Sequence, residues 1–274
     1  MPASISFDPV ADRYDATRKY PAPVAAQIAA GLLREGRVAQ GGSLLELGIG
    51  TGRIALPLLA SGVNVTGVDI APLMVERLRA KYDEQRERLR ELPWGTLRVE
   101  IADMTALPFA AGSFDAVVGV HILHLVPDWQ AALDEAMRVL RPGSAFLLGQ
   151  DVRGDAARND IHDRWDAIVR ELGYLPDPVG AASFSLVVED LRRRVPDVQV
   201  RTLAEWEERH TPRSALEDIS ERLWSRTWPV PPQIFDESVR RLTAWAAQAY
   251  GEALDTPHQA RYAFKVAIAR QPAD

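Results

Sequence analysis

The stretch that most constrains this chain runs from Leu44 to Arg53 and reads Leu-Leu-Glu-Leu-Gly-Ile-Gly-Thr-Gly-Arg. Leu44 to Leu47 is a short apolar run, suited to a buried parallel strand. Glu46 sits near the carboxyl end of that run. Gly48, Gly50 and Gly52 then alternate, and a helical pattern follows from about Thr51 to Leu59. Gly48 is free to take a left-handed conformation closed to most residues. Gly50 and Gly52 are expected to let a ligand approach the main chain. The start of the following helix is expected to present unpaired N–H groups to an anion. The order strand, glycine turn, helix points to an α/β fold. A dinucleotide fingerprint would read G-x-G-x-x-G. Here the third glycine comes one residue early, and Arg53 holds the fingerprint position. An ordinary glycine-rich turn is the alternative reading.

The pattern is E-x-G-x-G-x-G, and it resembles the nucleotide-loop motif of class I S-adenosylmethionine (SAM) methyltransferases. The resemblance implies a Rossmann-like, doubly wound, mostly parallel seven-stranded sheet with helices on both faces. It also implies SAM as cofactor and S-adenosylhomocysteine as product, with Glu46, Gly48, Gly50 and Gly52 at the cofactor. An acid at the strand end suits an ammonium, and free N–H groups suit a carboxylate.

The next motifs follow in order. Val63 to Asp69 reads as a second strand, and Asp69 closes it 21 residues after Gly48. An acid there is placed to accept ribose hydroxyls, with Ile70 against the adenine. The alternative role for Asp69 is an N-cap of the helix from about Ala71 to Leu92. Leu97 to Ile101 alternates as a third strand, followed by Asp103 and Met104. The resemblance implies that Asp103 accepts from the adenine amino group and that the Met104 N–H reaches a ring nitrogen. A turn aspartate is the plainer reading.

Ala116 to Val120 reads as strand four and runs into His121, Ile122, Leu123 and His124. The resemblance places the end of this strand near the sulfonium, so His121 is both a cofactor-contact candidate and a candidate general base. His121 and His124 are three apart and are read as able to share a helical face. No third ligand sits nearby in a metal-like pattern, so no metal is expected. A helix from Trp129 to Leu140 and a fifth strand from Ala145 to Gly149 complete the segment over which the resemblance is specific, about residues 44–150.

The N-terminal residues 1–20 are polar and aromatic. Phe7-Asp8 and Tyr14-Asp15 resemble the lid segment of small-molecule methyltransferases, which makes Tyr14 and Arg18 cofactor-contact candidates. Residues 21–150 are then the cofactor-binding core, opened by an amphipathic helix over Pro21 to Glu35. Residues 151–258 are expected as a mostly helical substrate and lid insertion, with a core strand near 198–206. Residues 259–274 hold the last strand and a tail. Within the insertion, Asn159 to Leu172, Val188 to Val195 and Phe235 to Tyr250 read as helices. Leu175 to Pro178 reads as a loop, and Trp228 to Pro232 as a rigid linker. Thr211 and Pro212 read as an N-cap and first helical residue. Five of the seven tryptophans lie beyond residue 150, read either as walls of an aromatic pocket or as core.

Composition limits the partners. A net charge of −6 and a pI of about 5.5 give no global pull toward nucleic acid or an anionic membrane. The chain has no cysteine, which removes disulfides, thiolate metal sites and cysteine nucleophiles. Met1 to Asp8 lacks a basic start and an apolar core, and no run approaches a transmembrane span. The expectation is a cytoplasmic methyltransferase, monomer or homodimer. Its acceptor is a small molecule, of hydrophobic or aromatic character. A non-catalytic SAM-binding protein and an NAD-dependent oxidoreductase are the competing readings.

Overall fold

A computed structural model describes residues 4–154, 156–175 and 178–273; the side chains of residues 16, 17 and 156–159 are not described. Pro176 and Asp177 of the expected 175–178 loop therefore lie outside the described residues.

The chain runs α1 (Tyr14–Arg18), α2 (Ala22–Gly36), β1 (Ser43–Leu47), α3 (Ala55–Ala60), β2 (Asn64–Asp69), α4 (Pro72–Arg88), β3 (Leu97–Ile101), β4 (Phe114–Val120), α5 (Trp129–Val139) and β5 (Leu140–Gly154). It continues through α6 (Ala156–Glu171), α7 (Phe184–Arg194), β6 (Asp197–His210), α8 (Pro212–Ser220), α9 (Pro232–Tyr250) and β7 (His258–Arg270). The strands form one seven-stranded sheet in the order β3-β2-β1-β4-β5-β7-β6. The pairings β1–β2, β1–β4, β2–β3 and β4–β5 are all parallel. This is the expected doubly wound sheet. The chain moves outward from β1 to β3, then returns to place β4 on the other side of β1. Such a reversal leaves a crevice at the carboxyl ends of β1 and β4, where sheets of this kind bind ligands.

Two compact units are present. The first holds residues 1–151, 178–204 and 264–274; the second holds 152–177 and 205–263. The insertion expected as one block over 151–258 is therefore divided. Residues 178–204, with α7, belong to the first unit. The reason is burial: Val187, Val188 and Leu191 of α7 join the cluster built on Leu45, Val117, Leu133 and Phe146. On α2, a Cβ at Gly31 would stand 3.0 Å from the Leu203 side chain, so this glycine lets the helix lie close to β6.

In the second unit, α6, α8 and α9 bury Trp165, Ile168, Ile219, Leu242 and Ala246 together. Trp165 donates from Nε1 to the buried Ser238 hydroxyl at 3.0 Å. Trp165 is thus core, and the partly buried Trp245 packs against the same cluster. The Trp206 ring stacks on Tyr262 at 5.2 Å, and Arg153 lies over the rings of both Trp224 and Tyr262. Thr211 caps α8 by accepting from the Ser214 N–H, with Pro212 in the first turn.

Two expectations near the loop need correction. The helix read over Thr51–Leu59 begins only at Ala55, because Thr51 to Arg53 form turns with Gly52 at φ +83°. Pro57 then falls in the first turn of α3, where its missing N–H costs no intrahelical bond. His121 does not share a helical face with His124: it stands outside any helix at φ +51°, while His124 lies in the 3-10 turn Leu123–Leu125.

Candidate functional site

The crevice is lined first by the glycine loop. Gly48, Gly50 and Gly52 all have positive φ, at +67°, +53° and +83°. Gly48 takes the left-handed conformation expected of it. A Cβ at Gly52 would meet Leu78 at 2.3 Å, and one at Gly48 would meet Ile122 at 2.4 Å. Those two glycines serve internal packing. A Cβ at Gly50 would come no nearer than 3.4 Å to any group, so Gly50 is the open position of the loop. The loop N–H groups are also largely committed: Gly48 and Ile49 donate to Val68 O, and Gly52 donates to Ile49 O. With α3 starting at Ala55, the expected helix N-terminus does not reach the loop.

Glu46 is 3% exposed at the end of β1, and its Oε2 has no hydrogen-bond partner among the described residues. Burial pushes its carboxyl well above the usual range; the Arg53 charge opposes this and Asp69 adds to it. A buried, unpartnered acceptor is costly unless a donor or cation arrives. This is where the residues present fit the ammonium of a bound SAM.

Asp69 ends β2 as expected, and its carboxylate is engaged. Oδ2 accepts from the Gly50 N–H at 2.8 Å and Oδ1 from the Ala71 N–H at 2.9 Å. Burial raises its pKa, against the lowering effect of the Ala71, Gly50 and Ile70 N–H groups. The N-cap of α4 is Ala71 and not Asp69, which instead ties the loop to the residue before α4 and still has lone pairs open. Asp103 is exposed, and its Oδ1 takes both the N–H and the hydroxyl of Thr105, which is the turn role. Met104 is buried in the core cluster.

The N-terminal segment is bonded onto this loop. The Thr51 hydroxyl, 1% exposed, donates to Asp15 Oδ1 at 2.5 Å, and Lys81 pairs with Asp15 Oδ2 at 2.8 Å. Asp8 Oδ1 accepts from the Leu73 N–H. Tyr14 packs edge-on against Phe7, beside Ala11, Ala71 and Met74. Arg18 lies 5.7 Å from the Tyr14 ring centre, and its carbonyl accepts from Arg53 at 3.0 Å.

A buried polar cluster was not anticipated from the sequence. Asp151, near the end of β5, accepts from the Tyr20 hydroxyl at 2.8 Å and has Arg53 at 3.7 Å and His121 Nε2 at 3.0 Å. The Arg53 guanidinium lies over the Tyr20 ring. Burial drives the Asp151 carboxyl upward, but the His121 bond, the His121 and Arg53 charges and the Tyr20 bond outweigh it and leave it at about 2. These residues come from four separate parts of the chain, and no spacing or periodicity joins them. Beside His121 opens a pocket of about 190 Å³, bounded by Ile122, Leu148, Ser183, Phe184 and Val187 among others.

Residues 45–148 match the family model described as a methyltransferase domain. A phosphatidylethanolamine N-methyltransferase from Cereibacter sphaeroides is 35% identical over 111 residues, 40% of this chain and 51% of that one. The leading curated relatives match over only 37 to 57% of their own length. Among solved structures, the YcgJ protein from Bacillus subtilis aligns with a TM-score of 0.56 at 19% identity, covering 89% of this chain and 98% of that one. A Haemonchus contortus phosphoethanolamine N-methyltransferase, solved with S-adenosylhomocysteine, aligns with a TM-score of 0.51 at 18% identity, covering 97% and 58%. Residues 45–148 of the chain thus match a methyltransferase domain, and the sheet that carries them has the Rossmann-like fold of these solved structures.

Proposed function

We propose that the chain binds SAM at the carboxyl ends of β1, β2 and β4 and moves its methyl group to a small-molecule acceptor. The observation that carries this reading is Glu46: a buried carboxyl oxygen without a hydrogen-bond partner among the described residues, two residues before the glycine loop, within the matched segment. Bound SAM would supply an electrophilic methyl group on a sulfonium.

The chain's own residues then have separable tasks. Glu46 receives the ammonium, and Gly50 leaves the loop open to the methionine end. Asp69 accepts from the ribose, with Ile70 against the adenine. Asp103, through its carboxylate, and the Met104 N–H read the adenine edge. Tyr14 and Arg18, in the segment bonded to the loop through Asp15, cover the cofactor and exclude water, which favours in-line alignment over hydrolysis. His121 stands where β4 ends, at the place proposed for the acceptor.

Titration calorimetry with SAM and S-adenosylhomocysteine, paired with a labelled-methyl transfer screen, tests the proposal. Micromolar SAM binding with transfer to at least one small molecule is the expected result. Binding without transfer to any acceptor class would favour a SAM-binding protein instead. Absence of SAM binding would overturn the reading.

A further inference from the structure

We infer that the methyl acceptor is an uncharged molecule the size of a single substituted ring, held in the cavity between the ends of β4 and β5 and the start of α7. The inference rests on the methyl-transfer reading and adds the charge and size of the acceptor.

The first observation is position. Ile122 bounds the cavity on one side. It also lies against the cofactor loop, where a Cβ added to Gly48 would come within 2.4 Å of Ile122 Cδ1. A single side chain therefore separates the cavity from the glycine loop. His121, directly after β4, bounds the cavity as well.

The second observation is shape. Leu123, Leu148, Ala181 and Val187 belong to the hydrophobic core as well as to the cavity wall, and Phe184 packs against that core. Close-packed walls of this kind do not yield to a larger guest without strain. Two main-chain bonds fix the turn ahead of α7: the Gly180 N–H donates to His124 O at 3.1 Å and the Ala181 N–H to Leu123 O at 3.0 Å. Position 180 requires glycine, because a Cβ there would meet Leu123 O at 2.2 Å. The cavity holds about 190 Å³. An apolar cavity of about 150 Å³ takes a benzene ring. This one therefore takes a ring with a small substituent and excludes a fused pair of rings.

The third observation is charge. Among the described residues, no Lys, Arg, Asp or Glu side chain bounds the cavity. Its polar boundary is His121, His124, Gln150 and Ser183. Burial lowers the His121 pKa, Asp151 opposes this, and Arg53 and Arg18 add to the fall. Burial, with His121 and Arg18 adding to it, holds His124 at about 4. Both rings are thus neutral near pH 7. The Ser183 oxygen accepts from the Leu186 N–H at the start of α7. A carboxylate, phosphate or ammonium entering here would give up its hydration with no opposite charge to replace it. A neutral ring meets no such cost, and the amide of Gln150 can orient a neutral polar substituent on it.

The test is carbon-13 NMR of the isoleucine methyl groups in the full chain, with the Ile122 signal assigned by its loss in Ile122→Val. The probes are benzamide and benzoate, matched in shape and different in charge, with benzylammonium as the cation. Benzamide should move the Ile122 signal with a millimolar dissociation constant, and the two ions should bind roughly tenfold more weakly or worse. The larger 2-naphthamide should leave the parent signal in place and move it in Phe184→Ala, which widens the cavity. Benzoate or benzylammonium binding as tightly as benzamide would overturn the proposal. So would the absence of benzamide binding, or 2-naphthamide binding the parent as tightly as benzamide does. Should Phe184→Ala not fold, Phe184→Leu replaces it, and the comparison of benzamide with benzoate on the parent decides in either case. These titrations are read without cofactor. Absence of SAM binding by calorimetry, with benzamide still preferred, would remove the methyl-transfer reading and leave the selectivity of the cavity standing. SAM binding with benzoate preferred would do the reverse.

Discussion

The Arg53 guanidinium lies 4.3 Å from the centre of the Tyr20 ring, and this stack joins the cofactor loop to the residue that closes the N-terminal segment. Tyr20 in turn holds Asp151 through its hydroxyl, so the segment, the loop and the end of β5 share one buried network. Its strength comes from charge: a hydrogen bond to an ionised group contributes about 1.5–3 kcal/mol.

Tyr20→Phe keeps the stack and deletes the hydroxyl. The variant should lose about 1.5–3 kcal/mol of stability at neutral pH. The pH dependence has a definite sign. The Asp151 carboxyl is depressed from 3.8 to about 2 in the folded state, so its contribution is present above pH 4 and is lost as pH falls toward 2. Removing the Tyr20 bond raises that folded pKa. Acid unfolding followed by circular dichroism should therefore begin at higher pH in Tyr20→Phe than in the parent. Identical acid midpoints would show that the bond is not made in solution.

Asp69→Ala should have two effects. Its carboxylate anchors the Gly50 and Ala71 N–H groups, so ligand-free stability should fall by about 2–4 kcal/mol. SAM affinity should fall roughly tenfold or more if the ribose hydroxyls are also lost. The ribose reading of the sequence suggests only the second effect; the bonds to the loop add the first. Calorimetric melting and SAM titration separate them, and a destabilised variant with unchanged affinity would restrict Asp69 to its loop-anchoring role.

Glu46→Gln should act in opposite directions on the two states. Burial raises the Glu46 pKa in the folded protein, so its ionisation opposes folding above the unfolded pKa. A neutral glutamine should therefore leave the ligand-free melting temperature unchanged or higher at pH 8. The melting-temperature gain on adding SAM should shrink, because the ammonium loses its anionic partner. A variant that melts lower yet gains as much from SAM would remove Glu46 from the cofactor site.

What the sequence revealed and what it hid divide along a physical line. The runs at Leu44–Leu47, Leu97–Ile101 and Ala116–Val120 are local signals of strands, and the glycines between β1 and α3 are a local signal of a turn. The start of α3 was misplaced because Thr51 to Ile54 fit a helical pattern until the positive φ of Gly52 is known. Asp103 illustrates the same limit, since its turn bonds to Thr105 are local while any ligand role is not. Tyr20 and Asp151 are 131 residues apart, and no periodicity or spacing connects them. Their pairing is a product of the tertiary fold, in which β5 carries Asp151 and the turn between α1 and α2 carries Tyr20 to it.

The N-terminal segment should behave as a latch whose ordering depends on Asp15. Asp15 bonds the buried Thr51 hydroxyl and pairs with Lys81, so Asp15→Ala removes both tethers at once. Hydrogen exchange over residues 7–20 should speed up in that variant, and SAM should slow it in the parent by covering the same loop. Cutting away residues 1–20 is a harsher change, because Val10, Ala11 and Tyr20 are buried. Equal exchange in parent and variant, with and without SAM, would leave the segment no part in closing the site.

NAD and NADH should bind with dissociation constants of about 1 mM or weaker. In a dinucleotide site the third glycine lets a helix approach the pyrophosphate closely. Here Arg53 occupies that position, and its side chain is committed to the Tyr20 ring, Asp151 and the Arg18 carbonyl. The helix that would face a pyrophosphate begins only at Ala55, two residues further on. Substituting Arg53→Gly would restore the fingerprint glycine but break the Tyr20–Asp151 network, so it should cost stability without creating NADH affinity. Fluorescence titration of NADH against the parent and this variant checks both statements. A micromolar dissociation constant in the parent would replace the methyl-transfer reading with a hydride-transfer one.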